Sequence, residues 1–255
     1  MTFNEFNLKD LLQKAIDEAG FKEPSPIQEQ AIPFVLAGRD IVGQAHTGTG
    51  KTAAFGLPIL NNMKGNSGVE AVVIVPTREL AMQVSDELYR FGKFLGINTA
   101  TVYGGQAYAR QIKLIENAGI IVATPGRFLD LLRGDKIDIK PDYVILDEAD
   151  EMLDMGFLDD IKEIFTFLPK ERQTLLFSAT MPLAIKNLAK TILNEPEFIT
   201  LTKSDVTNSK ITQTFYVVDE RERDDALIRL YDYKNPTKSI IFCRTKKEVD
   251  RLSTF

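Results

Sequence analysis

Short apolar runs alternate with longer segments of helical period from about residue 40 onward. The run Val144-Ile145-Leu146 is apolar at every position, which is typical of a strand buried on both faces of a parallel sheet. Further strands are predicted at 41–43, 72–75, 99–103, 120–122 and 175–178. Segments with helical spacing follow some of them, as at 107–117 and 183–193. This alternation predicts an α/β fold with a mostly parallel sheet covered by helices on both faces.

The N-terminal segment has the pattern of a packing helix. Apolar residues recur at helical spacing from Leu8 to Ala19. Asn7 is the predicted N-cap, because its side chain can accept a hydrogen bond from the first helical turn. Gly20 is predicted to end the helix, since glycine readily adopts the left-handed conformation found there.

A change of pattern after Leu201 indicates a domain boundary. Residues 202–210 are polar and have no periodic apolar face. They therefore read as a linker that follows a first domain of residues 1–201.

Residues 211–255 contain fewer elements than a domain requires. Two strand-like runs lie at 211–218 and 239–243, with a helix-like run at 221–233 and the beginning of another helix near the end. Two strands cannot bury a core of their own. We expect residues 211–255 to be the incomplete beginning of a second domain.

Composition narrows the chemistry that the chain can perform. Hydrophobic residues make up 44% and charged residues 26%, as in an ordinary globular protein. One cysteine and one histidine exclude an internal disulfide and a zinc cluster. The N-terminus lacks a signal-like segment, and nowhere do about 18 apolar residues follow one another, so a cytoplasmic protein without a membrane partner is expected. The net charge of −5 argues against a generic polyanion binder.

A glycine-rich segment between a strand and a helix resembles a phosphate-binding loop. It reads Ala45-His46-Thr47-Gly48-Thr49-Gly50-Lys51-Thr52. Backbone N–H groups from Thr47 to Gly50 would face phosphate oxygens, Lys51 would neutralise their charge, and Thr52 would hold Mg²⁺. The strict pattern has glycine where this chain has Ala45, and an ordinary strand-to-helix turn is the alternative.

Carboxylates follow the buried strand 144–146, where open parallel sheets bind ligands. Asp147 would coordinate Mg²⁺, and Glu148 would orient and deprotonate the attacking water. Alone, an acidic segment is more often a solvated face. The phosphate-binding loop upstream makes the catalytic interpretation stronger.

Asp147-Glu148-Ala149-Asp150 is the signature of the DEAD-box RNA helicases, and the chain resembles the N-terminal motor domain and the start of the second domain of a bacterial-type member. The resemblance implies a RecA-like P-loop domain, followed here by an incomplete second RecA-like domain. It also implies ATP or ADP with Mg²⁺ as cofactors, and RNA as the partner. Ile240 to Thr245 resembles the first conserved strand of the family's second domain.

The segment from Gly20 to Gln28 resembles the family's adenine-reading element. The resemblance implies that Phe21 stacks on the base, that Gln28 hydrogen-bonds its edge, and that Glu23 belongs to the same site. The alternative is a helix capping box formed by Ser25 and Gln28, with proline at the first helical position. Both interpretations are compatible.

Three further segments match family elements that bind the RNA backbone, and each follows a predicted strand. The residues carried over are Thr77, Arg78, Gly104, Gly105, Thr124, Gly126 and Arg127. Helix N-termini, glycine backbones and single arginines can bind phosphates without an excess of basic residues, which answers the objection from net charge in part. Taken singly, each segment is more simply a capped strand-to-helix turn.

Ser178-Ala179-Thr180 matches the family element that couples the ATP state to domain closure. The two hydroxyls are expected to hydrogen-bond Asp150 and so tie two neighbouring strands together. The coupling residues predicted by the resemblance are therefore Asp150, Ser178 and Thr180.

The resemblance implies an ATP-dependent RNA helicase that separates short duplexes or remodels RNA–protein complexes, with little sequence preference and with no DNA partner. The later motifs of the second domain, including arginines that reach the γ-phosphate, do not occur in the sequence. We therefore expect this chain by itself to bind nucleotide but to hydrolyse and unwind little. Two alternatives stay open: a DNA-directed helicase or translocase, and a non-enzymatic clamp with the same fold.

Overall fold

The computed structural model describes residues 1–65, 68–201, 212 and 214–254. The chain divides into two compact units, Met1–Thr207 and Asn208–Phe255. The predicted linker 202–210 lies outside the described residues. The assignment of two domains therefore stays a prediction.

The first unit is built around a seven-stranded sheet, and every pairing among its described strands is parallel. The strands are β1 (Ile41–Gln44), β2 (Ala71–Ile74), β3 (Thr99–Val102), β4 (Ile120–Ala123), β5 (Tyr143–Leu146), β6 (Gln173–Ser178) and β7 (Glu197–Thr200). Their order is β3-β4-β2-β5-β6-β1-β7. The predicted α/β fold is confirmed, and β7 is added to it. The apolar-run pattern missed β7 because this edge strand buries only Ile199.

Helices connect the strands of the first unit, and separate helices lie in the second unit. They are α1 (Asp10–Glu18), α2 (Pro26–Leu36), α3 (Lys51–Asn62), α4 (Arg78–Gly92), α5 (Tyr108–Ile115), α6 (Pro125–Arg133), α7 (Ala149–Asp154), α8 (Leu158–Phe167), α9 (Leu183–Ile192), α10 (Arg223–Lys234) and α11 (Lys246–Leu252). Short 3₁₀ turns cover Phe3–Phe6, Lys93–Leu95 and Glu220–Glu222. Among the described residues, no helix has both the length and the apolarity needed to cross a membrane.

Two hydrophobic cores lie on the opposite faces of the sheet, and β5 shows how one strand serves both. Ile145 packs into the core formed with α1 to α4, whereas Val144 and Leu146 pack into the core formed with α5 to α9. Successive side chains of a strand point to opposite faces, so a strand covered by helices on both sides must be apolar throughout.

The N-terminal helix begins later than predicted, and Asn7 is not its N-cap. Asn7 instead ends the 3₁₀ turn Phe3–Phe6, with a left-handed φ of 54° that asparagine tolerates better than most residues. A capping box between Thr2 and Glu5 stabilises this turn. At the other end the prediction holds, since Gly20 has a φ of 80° and follows the C-cap residue Ala19.

The second unit has the two predicted helices, α10 and α11, but not the predicted strands. Its described residues at 214–218 and 239–243 form no strand. A strand exists only through hydrogen bonds to a neighbouring strand. Apolar side chains in both segments stay exposed, and that of Phe242 is 90% exposed.

Candidate functional site

The strand order brings three predicted motifs together at the carboxyl edge of the sheet. β6 lies between β1 and β5, with Gln44 opposite Ser178 and Leu146 opposite Leu176. The phosphate loop follows β1, the acidic segment follows β5, and the Ser178 segment ends β6. The carboxyl ends of adjacent parallel strands form the usual ligand site of such sheets.

Two glycines shape the phosphate loop. Gly48 and Gly50 have φ values of 83° and 90°, which side chains other than glycine rarely allow. A Cβ atom at Gly50 would also lie 2.4 Å from Nε2 of Gln28. Thr49 closes the loop with a 2.8 Å hydrogen bond from its hydroxyl to the His46 carbonyl. The loop then leads directly into the N-terminus of α3 at Lys51.

Lys51 is the centre of a buried charge cluster. Its Nζ lies 2.7 Å from Oε1 of Glu148 and 3.4 Å from Oδ1 of Asp147. The three residues are between 3% and 5% exposed. Thr47 adds a 2.8 Å hydrogen bond from its hydroxyl to Oε1 of Glu148. The phosphate loop and the acidic segment are thus joined through two contacts to one carboxylate.

Burial raises the pKa of Asp147 to about 6, although Lys51 acts in the opposite direction. Its Oδ1 also accepts a 3.0 Å hydrogen bond from the backbone N–H of Glu148. Glu148 itself has a left-handed φ of 57° at the start of α7. Perturbed carboxylates and strained backbone together mark functional sites more often than structural ones.

Thr52 lies in the first turn of α3 and directly follows Lys51 in the sequence. Its hydroxyl hydrogen-bonds the Glu87 carboxylate. Burial raises the pKa of Glu87 by more than this hydrogen bond lowers it, so the pKa lies above its usual value. The Thr52 hydroxyl and the Asp147 carboxylate are both hard oxygen donors, which suit Mg²⁺. The residues present therefore fit the implied metal.

Gln28 forms the capping box of its segment, and its role in adenine recognition stays a prediction. Its Oε1 accepts a 2.9 Å hydrogen bond from the Ser25 backbone, which is the capping box of α2. Its Nε2 donates to the Gly50 carbonyl at 3.0 Å, and the Ser25 hydroxyl donates to the Thr49 carbonyl at 2.7 Å. The helix cap is thus also a brace for the phosphate loop.

Phe21 is half-buried within an aromatic cluster. Its ring packs edge-to-face on Phe91 at 5.7 Å and on Phe3 at 6.0 Å between centroids. Glu23 is exposed on the segment between Phe21 and α2. The aromatic contacts restrain the Phe21 ring, and its predicted stacking on a base stays a prediction.

Asp150 ties the acidic segment to the end of β6. Its carboxylate accepts hydrogen bonds from both the N–H and the hydroxyl of Thr180, each at 2.8 Å. Its own N–H donates to the Ser178 hydroxyl at 3.0 Å. Burial raises the pKa of Asp150, but hydrogen bonds to Ser178, Thr180 and Ala179 outweigh it and hold the pKa below its usual value. The expected hydrogen bonds are present, while their coupling role stays a prediction.

The three candidate RNA segments follow the neighbouring strands β3, β4 and β2. Thr77 is the N-cap of α4, and its hydroxyl accepts a 3.2 Å hydrogen bond from the Leu80 N–H. Thr124 is the N-cap of α6, with Pro125 at the first helical position. Gly126 has open space around its Cβ position. The N-termini of two helices therefore point to the same edge of the sheet.

Arg78 lies over the glycine turn that follows β3. A Cβ atom at Gly105 would lie 3.1 Å from Nη1 of Arg78, and one at Gly104 would lie 3.6 Å from Nη2. The guanidinium carbon lies 6.0 Å from the centroid of the Tyr103 ring. Gly105 has a φ of 90°, so glycine is required by conformation as well as by space.

Arg127 is bound to the protein through one nitrogen. Its Nη1 donates to the Gln106 carbonyl at 2.8 Å and to Oε1 of Gln111 at 2.9 Å. The guanidinium also stacks on Tyr108, 4.2 Å from the ring centroid. These contacts hold the side chain in place.

Two polar residues of the site were missed by the sequence analysis. Gln44 donates from Nε2 to the Ala179 carbonyl at 3.2 Å and so joins β1 to the segment after β6. Gln111 is fully buried and contacts Arg127. The burial of Gln111 could have been predicted from its position one helical turn before Ile115, on the buried face of α5.

Comparison with known proteins agrees with this arrangement. The profile of the DEAD/DEAH box helicase family matches residues 25–188. The DEAD-box ATP-dependent RNA helicase RhpA of Helicobacter pylori (strain B128) is 57% identical over 100% of this chain and 52% of its own length. The DEAD-box ATP-dependent RNA helicase CshA of Bacillus subtilis (strain 168) is 48% identical over 99% of this chain and 52% of its own length.

A solved structure shows the same fold. The crystal structure of a DEAD box protein from the hyperthermophile Methanococcus jannaschii is matched with a TM-score of 0.77 and 43% identity, covering 100% of this chain and 69% of that one. The chain spans about half the length of the curated relatives it matches. Its RecA-like fold, its ordered motifs and the matched family profile agree, and the chain belongs to the DEAD/DEAH box helicase family.

Proposed function

We propose that this chain is the ATP-binding part of an ATP-dependent RNA helicase. The observation that carries the proposal is the meeting of Lys51, Asp147 and Glu148 in one buried cluster between neighbouring strands. A buried cation between two carboxylates at a phosphate-type loop is costly to maintain without a function. The names of the relatives RhpA and CshA support the same activity.

Each residue of the nucleotide half has a chemical role in this proposal. Backbone N–H groups from Thr47 to Gly50 bind phosphate oxygens, and Lys51 neutralises the charge of the β- and γ-phosphates. Thr52 and Asp147 would hold Mg²⁺, which would supply further neutralisation of phosphate charge. Glu148 orients the attacking water and accepts its proton.

ATP must compete with the protein's own carboxylate. Lys51 and Thr47 both contact Oε1 of Glu148. Phosphate oxygens bind the same ammonium and hydroxyl donors, so nucleotide binding releases Glu148 from both. The released carboxylate is then able to accept a proton, which links substrate binding to the formation of the general base.

Adenine recognition is assigned to Gln28 with Phe21 and Glu23. A glutamine amide carries two donor hydrogens and two acceptor lone pairs, and Gln28 uses one of each within the protein. One donor and one acceptor are therefore left for the adenine edge. Because Gln28 is only 2% exposed, the base reaches it through a movement of this side chain or of the phosphate loop.

The RNA half is assigned to backbone recognition. Helix N-termini at Thr77 and Thr124, the glycine turn 104–105, the open backbone at Gly126 and the arginines Arg78 and Arg127 offer donors to phosphates and sugars. Contacts of this kind hold a strand without reading its sequence. The local donors explain how a chain with a net charge of −5 can bind a polyanion.

Calorimetric titration with Mg²⁺-ADP and Mg²⁺-GDP tests the nucleotide half. We expect saturable binding of ADP only, weakened in Gln28→Ala and unchanged in Gln30→Ala, which alters an exposed glutamine of the same helix. Equal binding of ADP and GDP would contradict adenine recognition. Absence of any nucleotide binding would contradict the proposal as a whole.

Anisotropy titration with fluorescent decauridine RNA, and with the matching deoxyribose oligonucleotide, tests the RNA half in the presence of Mg²⁺ and a non-hydrolysable ATP analogue. We expect tighter binding of RNA than of DNA. Equal or tighter binding of DNA would favour a DNA-directed translocase.

A further inference from the structure

Gln111 is a fully buried polar residue to which no step of the proposed function assigns a role. We propose that Gln111 is a positioning residue that holds the glycine turn after β3 and the arginine of α6 in the arrangement needed for RNA. The inference rests on the proposed function, because it concerns the RNA half of that site.

The amide of Gln111 joins two candidate RNA segments. Its Nε2 donates to the Tyr103 carbonyl at 2.8 Å, directly before Gly104 and Gly105. Its Oε1 accepts from Nη1 of Arg127 at 2.9 Å. One side chain therefore bridges the turn after β3 to the first turn of α6, which follows the adjacent strand β4.

The chemistry of the position requires an amide. Burying an amide costs free energy unless both of its ends are hydrogen-bonded. α5 buries Gln111 and Ile115, and an apolar residue would satisfy packing at either position. A neutral amide side chain carries its donor and its acceptor on separate atoms, so glutamine can donate to the Tyr103 carbonyl and accept from the Arg127 guanidinium at once without adding charge. The choice of glutamine is thus explained by the two partners and not by the hydrophobic core.

A bridged site binds RNA with a smaller loss of conformational entropy. The Arg127 guanidinium also donates to the Gln106 carbonyl and stacks on the Tyr108 ring. Together with the hydrogen bond to Gln111, these contacts restrain the guanidinium at three places before RNA binds. Ordering a side chain in advance lowers the entropic cost of binding. Gln111 acts through Arg127 and the glycine turn without touching RNA.

A purely structural role is the competing explanation, and Gln173 provides a matched control. Gln173 is also buried, and its Nε2 donates to the carbonyls of Val35 and Arg39 at 3.1 and 2.6 Å. It lies at the first residue of β6, at the opposite end of the strand from Ser178. Gln173→Met should disturb a buried amide without affecting the RNA segments.

The test is a double-mutant cycle measured with fluorescent decauridine RNA. The variants are Gln111→Met, Arg127→Met, the combination of both, and Gln173→Met. We expect Gln111→Met to raise the Kd for RNA about tenfold, as the loss of a hydrogen bond to a charged group implies. Its Kd for Mg²⁺-ADP should be unchanged. Because part of the effect of Gln111 passes through Arg127, the loss of RNA affinity in the double variant should be smaller than the product of the two single losses.

Three outcomes would overturn the inference. They are an RNA affinity of folded Gln111→Met equal to that of the wild type, multiplicative losses in the double variant, and an equal loss of RNA affinity in Gln173→Met. If Gln111→Met does not fold, Gln111→Glu replaces it, because a carboxylate keeps the acceptor for Arg127 and loses the donor to Tyr103. That variant should show a smaller loss of RNA affinity than Arg127→Met, and wild-type affinity in it would overturn the inference.

Failure of the proposed function gives a different result. If wild-type protein that binds ADP does not bind RNA, then both the RNA half of the proposal and the role of Gln111 are overturned. If the wild type binds RNA and the Gln111 variants bind it equally well, only the inference about Gln111 is overturned.

Discussion

The two halves of the sheet's carboxyl edge share the same strand-to-helix backbone geometry, but their charged side chains are buried in one half and at least partly exposed in the other. At the nucleotide half, after β1, β5 and β6, three charged side chains are nearly excluded from solvent. At the RNA half, after β2, β3 and β4, Arg78 and Gly105 are exposed, and helix N-termini supply donors. Both halves place helix N-termini and glycine backbone at the carboxyl edge of the sheet, where we propose that the ligands bind.

The difference in burial explains a difference in selectivity. A buried charge that loses its partner costs several kcal/mol, so the nucleotide half should discriminate strongly against a wrong ligand. An exposed arginine exchanges water for an RNA phosphate with little change in free energy. The RNA half should therefore accept any sequence that presents a phosphate backbone. Four substitutions test this contrast.

Lys51→Ala should produce the largest effect, because it leaves Asp147 and Glu148 buried without their cation. We expect a loss of about 3–5 kcal/mol in the free energy of unfolding and no measurable ADP binding. Urea unfolding and calorimetric titration measure the two quantities. Lys64→Ala, which breaks the exposed pair with Asp142, should leave both unchanged. Normal ADP affinity in Lys51→Ala would contradict the assignment of the phosphate site.

Glu148→Gln should lower the rate of ATP hydrolysis while preserving nucleotide binding. The amide keeps an acceptor for Thr47 but cannot take a proton from water, so the turnover number should fall by about 10²–10⁴-fold. RNA-stimulated phosphate release measures the rate in a protein that joins this chain to a complete second motor domain. Glu151→Gln, an exposed position in the helix that Glu148 caps, serves as control. Unchanged hydrolysis in Glu148→Gln would mean that another group is the general base.

Thr180→Ala should reduce the free energy of unfolding by about 1 kcal/mol, since Asp150 loses a hydroxyl donor. The pKa of Asp150 is held below its ordinary 3.8, so its stabilisation is present above that pH and is lost as the pH falls through the lower folded value. The variant should consequently lose less stability than the wild type between about pH 7 and pH 3. Urea unfolding at both pH values measures this difference. Thr191→Ala, whose hydroxyl donates to the Asn187 carbonyl of its own helix, is the control.

An identical acid dependence in Thr180→Ala and wild type would show that these hydrogen bonds do not set the titration of Asp150.

Arg78→Ala should have the smallest effect, because the side chain is exposed. We expect RNA affinity to fall by up to about fivefold for every sequence, as for one exposed ionic contact, and the slope of log Kd against log salt to fall by about 1. Anisotropy titrations at several salt concentrations measure both. Arg90→Ala, in the last turn of the same helix, is the control. A loss restricted to particular RNA sequences would contradict backbone recognition.

Local patterns alone were sufficient for much of the fold. The strand Val144-Ile145-Leu146 could be identified from its residues, because a strand covered on both faces must be apolar throughout. The capping box of Ser25 and Gln28 was equally readable, since both partners lie within one helical turn. The turn in the loop from Ala45 to Thr52 could be predicted from its glycines, which lie at positions that adopt positive φ.

Some local signals were ambiguous until neighbouring elements resolved them. Asn7 is suited both to an N-cap and to a left-handed turn, and the capping box of Thr2 with Glu5 placed it in the turn. The edge strand β7 has only Ile199 buried, so its pairing with β1 could not be read from apolar positions. The segment 239–243 has a strand-like composition but forms no strand, because a strand requires a paired neighbour.

By itself, the sequence determined the classes of most elements of the first unit, the glycine-rich loop, the acidic signature and the resemblance to a family. Tertiary structure alone decided that β6 separates β1 from β5, so that Lys51 meets Asp147 and Glu148, and that Gln111 bridges Tyr103 and Arg127. Local patterns report which side chains are buried, because burial depends on the period of one element. Strand order and side-chain bridges arise from packing between distant segments, which no single element encodes.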